Sequence, residues 1–324
     1  MIVLVTGASG FLGGAVAAEL VAAGHEVRTL QRRPSAVEGA TDYLGSITDP
    51  TVVARAVVGA DAVVHLAAKV SLAGDAADFR SINIEGTRTV LDAAEHAAAS
   101  RFVFVSSPSV AHAGDALAGV SAEPASPTHA RGDYARTKAE AELLALARDS
   151  DTMRVVAIRP HLVWGPGDTQ LVERVVERAR AGRLPLLSGG TALIDSTYID
   201  NAASGIAAAL RRAEEAHGNA YVLTNGEPRP VGDLLAGICL AAGVTPPAWS
   251  VPSSLARAAG SGIEKAWAIK PGVDEPPMTR FLAEQLSTAH WFDQRETRSV
   301  LDWTPAVSID EGLERLAAWY AASR

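Results

Sequence analysis

A single cysteine, Cys239, stands among 324 residues. No disulfide can close within the chain, and a reducing compartment is expected. Cys239 itself reads as a small core residue. No run of about 18 uninterrupted apolar residues offers a membrane span. No basic segment, apolar stretch and cleavage site precede the first strand, so the expectation is a soluble cytoplasmic protein. Basic charge is also scarce: 29 Lys and Arg face 37 Asp and Glu, a formal charge of −8. That balance argues against a nucleic-acid partner, which would call for a basic face. The eight histidines show no His-x-x-x-His spacing and one cysteine cannot make Cys-x-x-Cys, so no metal site is expected. What the chain has in plenty is apolar surface, 48% of its residues. That is ample for one large α/β domain, or for a domain with a smaller appendage.

Near the start the chain reads Thr6-Gly7-Ala8-Ser9-Gly10-Phe11-Leu12-Gly13. A β-branched run, Met1 to Val5, precedes it, and an apolar helical pattern through Val16, Leu20 and Val21 follows, closed by Gly24. The glycines therefore fall on a strand-to-helix turn. Gly7 permits the tight turn, Gly10 lets a pyrophosphate come close, and Gly13 packs helix on strand, while the helix N-terminus faces the anion. Gly7, Ser9, Gly10, Phe11, Leu12 and Gly13 are the candidate cofactor residues here.

Strands and helices then alternate. Strands are expected at Glu26–Leu30, near Leu44, at Asp61–Leu66, Arg101–Ser106 and Met153–Arg159. Helices are expected at Pro50–Val58, Ile82–Ala99 and Asp133–Arg148. The pattern predicts an α/β fold, a Rossmann-type doubly wound parallel sheet. Past Gly165, prolines 185, 228, 230, 246 and 247 interrupt short segments. Residues 1–164 read mainly as the dinucleotide-binding domain, and 165–324 mainly as a smaller α+β substrate-binding region with some chain crossing back to the sheet.

The chemistry points to Tyr134-Ala135-Arg136-Thr137-Lys138. Phenol and ammonium lie one helical turn apart. The phenol has an ordinary pKa near 10, so nearby positive charge should favour its ionised form. Ser106-Ser107-Pro108-Ser109 leaves the fifth strand, where such sheets place their ligands. Ser107 is the candidate donor to a substrate carbonyl, with Ser109 as a second contact, and Ser107, Tyr134 and Lys138 are the candidate catalytic residues.

With these motifs the chain resembles the extended short-chain dehydrogenases/reductases, in the branch shared by nucleotide-sugar epimerases and 3β-hydroxysteroid dehydrogenases. His65-Leu66-Ala67-Ala68, Asn83 in Asn-Ile-Glu-Gly-Thr, Arg159 to Gly167, Tyr198-Ile199-Asp200-Asn201 and Trp303-Thr304-Pro305 extend the likeness almost end to end. The resemblance implies that Ala67 and Ala68, with Lys69 beside them, line the cofactor cleft. It also implies that Pro160, His161 and Leu162 cover the nicotinamide, that Lys138 and Tyr134 touch the cofactor, and that His161 acts by positioning backbone. Ser106 to Val110, Asp195 to Asn201, Thr279 to Leu286 and His290-Trp291-Phe292 are similar to the 2-alkyl-3-oxoalkanoate reductases of bacterial long-chain olefin biosynthesis. That likeness implies reduction of a β-keto acid to the β-hydroxy acid. It also implies a lipid-like substrate and a homodimer able to associate with other enzymes of its pathway. A hydroxysteroid dehydrogenase, a nucleotide-sugar epimerase and a non-enzymatic cofactor-binding regulator are the competing readings.

The second strand ends in Leu30-Gln31-Arg32-Arg33 with no carboxylate for a ribose 2′-hydroxyl. Arg32 and Arg33 suit a 2′-phosphate, so NADP(H) is the expected cofactor with NAD(H) as the alternative. Gly45-Ser46 stands where many relatives have Gly-Asp against the adenine. His112 reads as a pocket-lining or an exposed loop residue. Arg174, Arg178, Arg180 and Arg183 read as a salt-bridged face from which one arginine could reach a substrate carboxylate. Residues 255–269 have helical spacing, with Leu255, Ala258, Ala259 and Ile263 as an apolar face that covers the cleft or packs on the core. Trp164, Leu171, Trp267, Met278, Phe281 and Leu282 are expected to flank the substrate.

Overall fold

Val3 and Val5 turn to one side of the first strand and Leu4 to the other, as the two-residue period requires, and all three are fully buried. A strand apolar on both faces belongs inside a parallel sheet covered by helices. The computed structural model describes residues 1–71, 74–112, 114, 116–269, 284 and 286–323. Among the described residues such a sheet has seven strands: β1 (Ile2–Thr6), β2 (Glu26–Gln31), the exposed edge strand β3 (Thr41–Leu44), β4 (Ala62–His65), β5 (Arg101–Val105), β6 (Arg154–Pro160) and β7 (Ala220–Leu223). Their order is β7-β6-β5-β4-β1-β2-β3, parallel throughout. The chain winds outward to β3, then returns past β1 to build the other half. The crevice of this switch opens beyond the ends of β1 and β4, where Thr6 and His65 are register partners.

Helices Phe11–Ala22 and Ile199–Arg211 cover one face, around Val3, Val5, Val16, Leu20, Ile206 and Leu210. Pro50–Val57, Gly86–His96 and Gly132–Leu146 cover the other, around Leu4, Val63, Val90, Phe102 and Phe104. Each such side chain contributes about 1.5–3 kcal/mol on burial. The helix expected at Ile82 instead starts at Ala76 and passes through a π-helical stretch, Arg80–Glu85, before Gly86–His96. Past residue 165, helix Ile199–Arg211 and β7 return to the large sheet. Leu193–Ile194, Arg229–Pro230, His290–Phe292 and Leu117–Val120 form a second, four-stranded sheet.

Two expectations about this later region need correction. Trp164 does not flank a cleft: it is fully buried, edge-on to Tyr198 at 5.4 Å, with its indole N–H donating to the Ser196 hydroxyl at 3.0 Å. Helix Ser253–Ile269 forms, but Leu255, Ala258 and Ala259 are exposed, while Ala256 and Gly260 face inward. Ala256 packs near Leu187 and Val251, which shifts the buried face by one residue. Met278, Phe281 and Leu282, like the side chain of Trp267, lie outside the described residues. Cys239 is buried in the core around Trp164, and Leu171 is packed partly against it. Among the described residues no helix is long and apolar enough to cross a membrane.

Candidate active site

The glycine turn is built by close backbone approach. Gly7 sits at φ +82°, and a Cβ there would lie 2.9 Å from the Ala67 backbone. A Cβ on Gly13 would lie 2.3 Å from the Gly7 carbonyl oxygen, so no side chain fits at either place. Gly10 is the N-cap of helix Phe11–Ala22, and no side chain caps that end. Its first N–H groups face the crevice unfilled by protein, with the positive end of the helix dipole behind them. Ser9 is exposed, and Phe11 and Leu12 start the helix half-buried.

At the end of β4 a buried polar network joins three elements. The Thr6 hydroxyl accepts from the backbone N–H groups of Leu66 and Ala67 at 3.2 and 3.1 Å, leaving its proton for His65 Nδ1 at 2.7 Å. The Thr87 hydroxyl donates to the Asn83 carbonyl at 2.7 Å, so it accepts from His65 Nε2 at 3.0 Å. The chain of donors fixes one tautomer. Burial, with the nearby Lys138 charge, lowers the His65 pKa to about 3 and keeps the ring neutral. Asn83 then clamps the Lys69 backbone, accepting from its N–H at 2.7 Å and donating to its carbonyl at 3.2 Å, and reaches the Thr137 hydroxyl at 3.0 Å. The Ala67–Lys69 wall is thereby tied to the tyrosine helix. The Lys69 ammonium itself turns to Asp78, at 2.7 Å.

Across the crevice the serine loop and the helix Gly132–Leu146 meet. The Ser107 hydroxyl accepts from Ser109 Oγ at 2.9 Å and from the Ser109 N–H at 3.3 Å. Its other polar neighbour is the Tyr134 phenol. Burial pushes the Tyr134 phenol up to about 12, and the Ser107 bond pulls it back down in part. Lys138 is buried and donates to the Val105 carbonyl at 2.7 Å, with Nζ 4.0 Å from the Phe104 ring centroid. Burial brings its pKa down to about 7, with the Glu142 charge holding it up. Tyr134 and Lys138 share a helical face as expected. The expected acidifying effect of the ammonium on the phenol is a correction: the phenol is shifted up, and Lys138 points to a backbone carbonyl. The Ser106 hydroxyl is buried with no hydrogen-bond partner among the described residues.

Pro160 to Leu162 continues β6 over this space. Leu162 is held at φ +46°, a strained position for a leucine, while its carbonyl accepts from the Thr197 N–H at 3.2 Å. His161 Nδ1 donates to the Asp195 carbonyl at 2.7 Å, and burial lowers the ring to about 4. A neutral ring fixed to backbone fits the positioning role. Beneath, Arg159 and Glu142 form a fully buried ion pair, Nε to Oε2 at 2.9 Å and Nη2 to Oε1 at 2.5 Å, and Arg159 also donates to the Glu123 carbonyl. His112 is buried too, edge-on to His290 at 4.8 Å, so the exposed-loop reading does not hold.

Arg32 and Arg33 are exposed beyond β2. The turn that carries them is braced by Asp42, which accepts from Thr29, Gln31 and Ser35. Ser46 bonds Thr48 at 2.7 Å and caps its own turn. Arg174 lies within electrostatic reach of Asp168 and Arg180 of Tyr320. The helix that carries Tyr134 has Arg131 as its N-cap. Arg131, Asn83, Thr6, Thr87 and Thr137 were given no role by sequence reasoning. A buried asparagine inside a helix, where its propensity is poor, was the one available signal.

The arrangement can hold a dinucleotide in the crevice and move a proton at an oxygen beside Ser107 and Tyr134. Comparison with known proteins gives the family. The NAD dependent epimerase/dehydratase family matches residues 3–224. A 2-alkyl-3-oxoalkanoate reductase of Stenotrophomonas maltophilia is 40% identical, over 99% of this chain and 100% of its own length. A 3-beta-hydroxysteroid dehydrogenase of Mycolicibacterium neoaurum is 31% identical, over 98% of this chain and 91% of its own. The crystal structure of gox2253 superposes with a TM-score of 0.78 at 26% identity, covering 99% of this chain and 98% of that one.

Proposed function

This chain belongs to the NAD dependent epimerase/dehydratase family, the extended short-chain dehydrogenases/reductases, and is an NAD(P)-dependent oxidoreductase; from that premise we propose its substrate, cofactor preference and catalytic residues. The reaction is reduction of a long-chain 2-alkyl-3-oxoalkanoic acid to the 2-alkyl-3-hydroxy acid, as a step of olefin biosynthesis. The observation that carries the reading is the pairing of the Ser107 hydroxyl, braced by Ser109, with the buried Tyr134 phenol.

The dinucleotide fits this crevice, because Gly7 and Gly13 leave no room for side chains and the helix start is uncapped. The turn Gly7–Gly13 would hold its pyrophosphate, and Ala67, Ala68, Lys69 and Pro160–Leu162 would wall the nicotinamide half. Arg32 and Arg33 would grip a 2′-phosphate, which makes NADP(H) the preferred cofactor. When bound, the nicotinamide supplies the hydride for the carbonyl carbon. Ser107 donates a hydrogen bond to the carbonyl oxygen, and Tyr134 delivers its proton there as charge develops. A phenol at about 12 is fully protonated near neutrality, so it is loaded as an acid for reduction. Lys138, at about 7, exchanges its charge in the working range and would hold the nicotinamide ribose.

The test is the reverse assay, oxidation of stable 2-alkyl-3-hydroxy acids with NADP⁺, followed by nicotinamide absorbance. Efficiency should climb with arm length, by about 0.8 kcal/mol per buried methylene, and then level off. NADP⁺ should outperform NAD⁺ by roughly 10–100-fold. Turnover of a steroid alone would replace this reading with a hydroxysteroid dehydrogenase, which the 31% identical relative supports. Equal efficiency with both cofactors would remove the role given to Arg32 and Arg33.

A further inference from the structure

Arg131 precedes Tyr134 by one helical turn, so the two share a face of the helix at its N-terminal end. The Arg131 guanidinium lies against the loop that follows the catalytic serine. A Cβ added to Gly114 would fall 2.4 Å from its central carbon and 2.5 Å from Nη2, so the glycine makes the space that the guanidinium fills. Nη1 donates to both carboxylate oxygens of the buried Glu284, at 2.5 Å each. Nε and Nη2 make no hydrogen bond among the described residues, and the side chain keeps 38% of its exposure. A planar edge with free donors thus stands at the start of the helix that carries Tyr134, the geometry that a carboxylate matches in two parallel bonds.

We propose that Arg131 recognises the carboxylate of the substrate, and that Glu284 occupies the guanidinium as an internal carboxylate when the substrate is absent. The inference rests on the reading of this protein as a 3-oxo acid reductase. In such an acid the carboxylate sits two bonds from the carbon that takes the hydride. A carbonyl oxygen held by Ser107 and Tyr134 therefore leaves the acid group beside the start of the same helix. Arg131 is then the residue that separates an acid from a neutral ketone of the same shape. Arginine is required because lysine offers a point charge without the fork.

The experiment compares a 2-alkyl-3-hydroxy acid with its methyl ester, both oxidised with NADP⁺. The unmodified protein should favour the acid, with the preference in KM rather than kcat. In Arg131→Gln the acid-to-ester ratio of kcat/KM should fall by roughly 10–100-fold. Arg131→Lys should recover part of it. Glu284→Gln removes the competing charge and should lower KM for the acid several-fold relative to the ester. It carries the test by itself if Arg131→Gln does not fold. An unaltered ratio in a folded Arg131→Gln, or in Glu284→Gln, overturns the assignment while the reductase reading stands. Turnover of neither compound by the unmodified protein sinks both.

Discussion

Between Gly7 and Gly13 the polar contacts are those of the backbone: no side chain there makes a hydrogen bond among the described residues, and the shape comes from the Gly7–Ala67 and Gly7–Gly13 approaches. The opposite wall is held by side chains. Asn83, Thr137, Lys138 and Arg131 each take their position from a bond to another element or loop, and Ser107 and Ser109 brace each other within theirs. On the roles proposed above, the difference follows from what each wall must do. A phosphate-binding turn presents main-chain N–H groups and needs only room. A proton-transfer wall must present particular atoms at fixed distances, and those need partners that lock them. The first wall should therefore fail through added bulk, and the second through a single lost polar group.

The sharpest separation of the two walls comes from Tyr134→Phe. It should lower turnover by about 10²–10⁴-fold while cofactor binding, judged by nicotinamide fluorescence, stays close to normal. Turnover near that of the unmodified protein would mean that the proton comes from elsewhere. Next comes Glu142→Ala, which strands the buried Arg159 guanidinium beneath the proton-transfer wall. Unfolding in urea should show a loss of about 3–5 kcal/mol. A loss below about 1 kcal/mol would show that this wall does not depend on the pair.

The smallest effect, taken per pH unit, is in the pH dependence of stability. His65 and His161 have folded pKa values of about 3 and about 4, both below the ordinary 6.5. The unfolded chain therefore binds more protons than the folded one between those values, and stability falls as pH drops from 6.5. Each ring should account for up to about 1.4 kcal/mol per pH unit in that window. His161→Gln should flatten the acid limb between pH 6.5 and 4. An unchanged slope would show that the His161 ring takes up its proton without unfolding.

The same contrast decides what could be read from the sequence. The glycine turn is governed by rules that act within eight residues, so its position and the parts played by Gly7 and Gly13 were legible. Alternation along the chain likewise gave six strands of the large sheet, but not β7, which lies past Gly165 where the alternation breaks down. The proton-transfer wall was legible only where its residues share one helix, as Tyr134 and Lys138 do. Asn83 meets Thr137 across 54 positions and Arg131 meets Glu284 across 153, and no local pattern encodes such pairs. The upward shift of the phenol was hidden for the same reason, because it arises from packing around the ring. Trp164 was misread as cleft-lining because a large aromatic after a strand looks the same in sequence whether it faces a pocket or a core.

The π-helical stretch Arg80–Glu85 gives one rod two aims. One wider turn advances the frame of everything after it by about 100°, the angle of a single α-helical residue. Within that stretch Asn83 and Ile84 are buried, with Asn83 bonded to the tyrosine helix. Downstream of it, Val90, Leu91 and Ala94 face the sheet core. A deletion of one residue within Arg80–Glu85 would bring the helix back to uniform pitch and force a choice between the two faces. The helix works as a gear cut with one offset tooth, and the offset is what lets the core set the bearing of the active site.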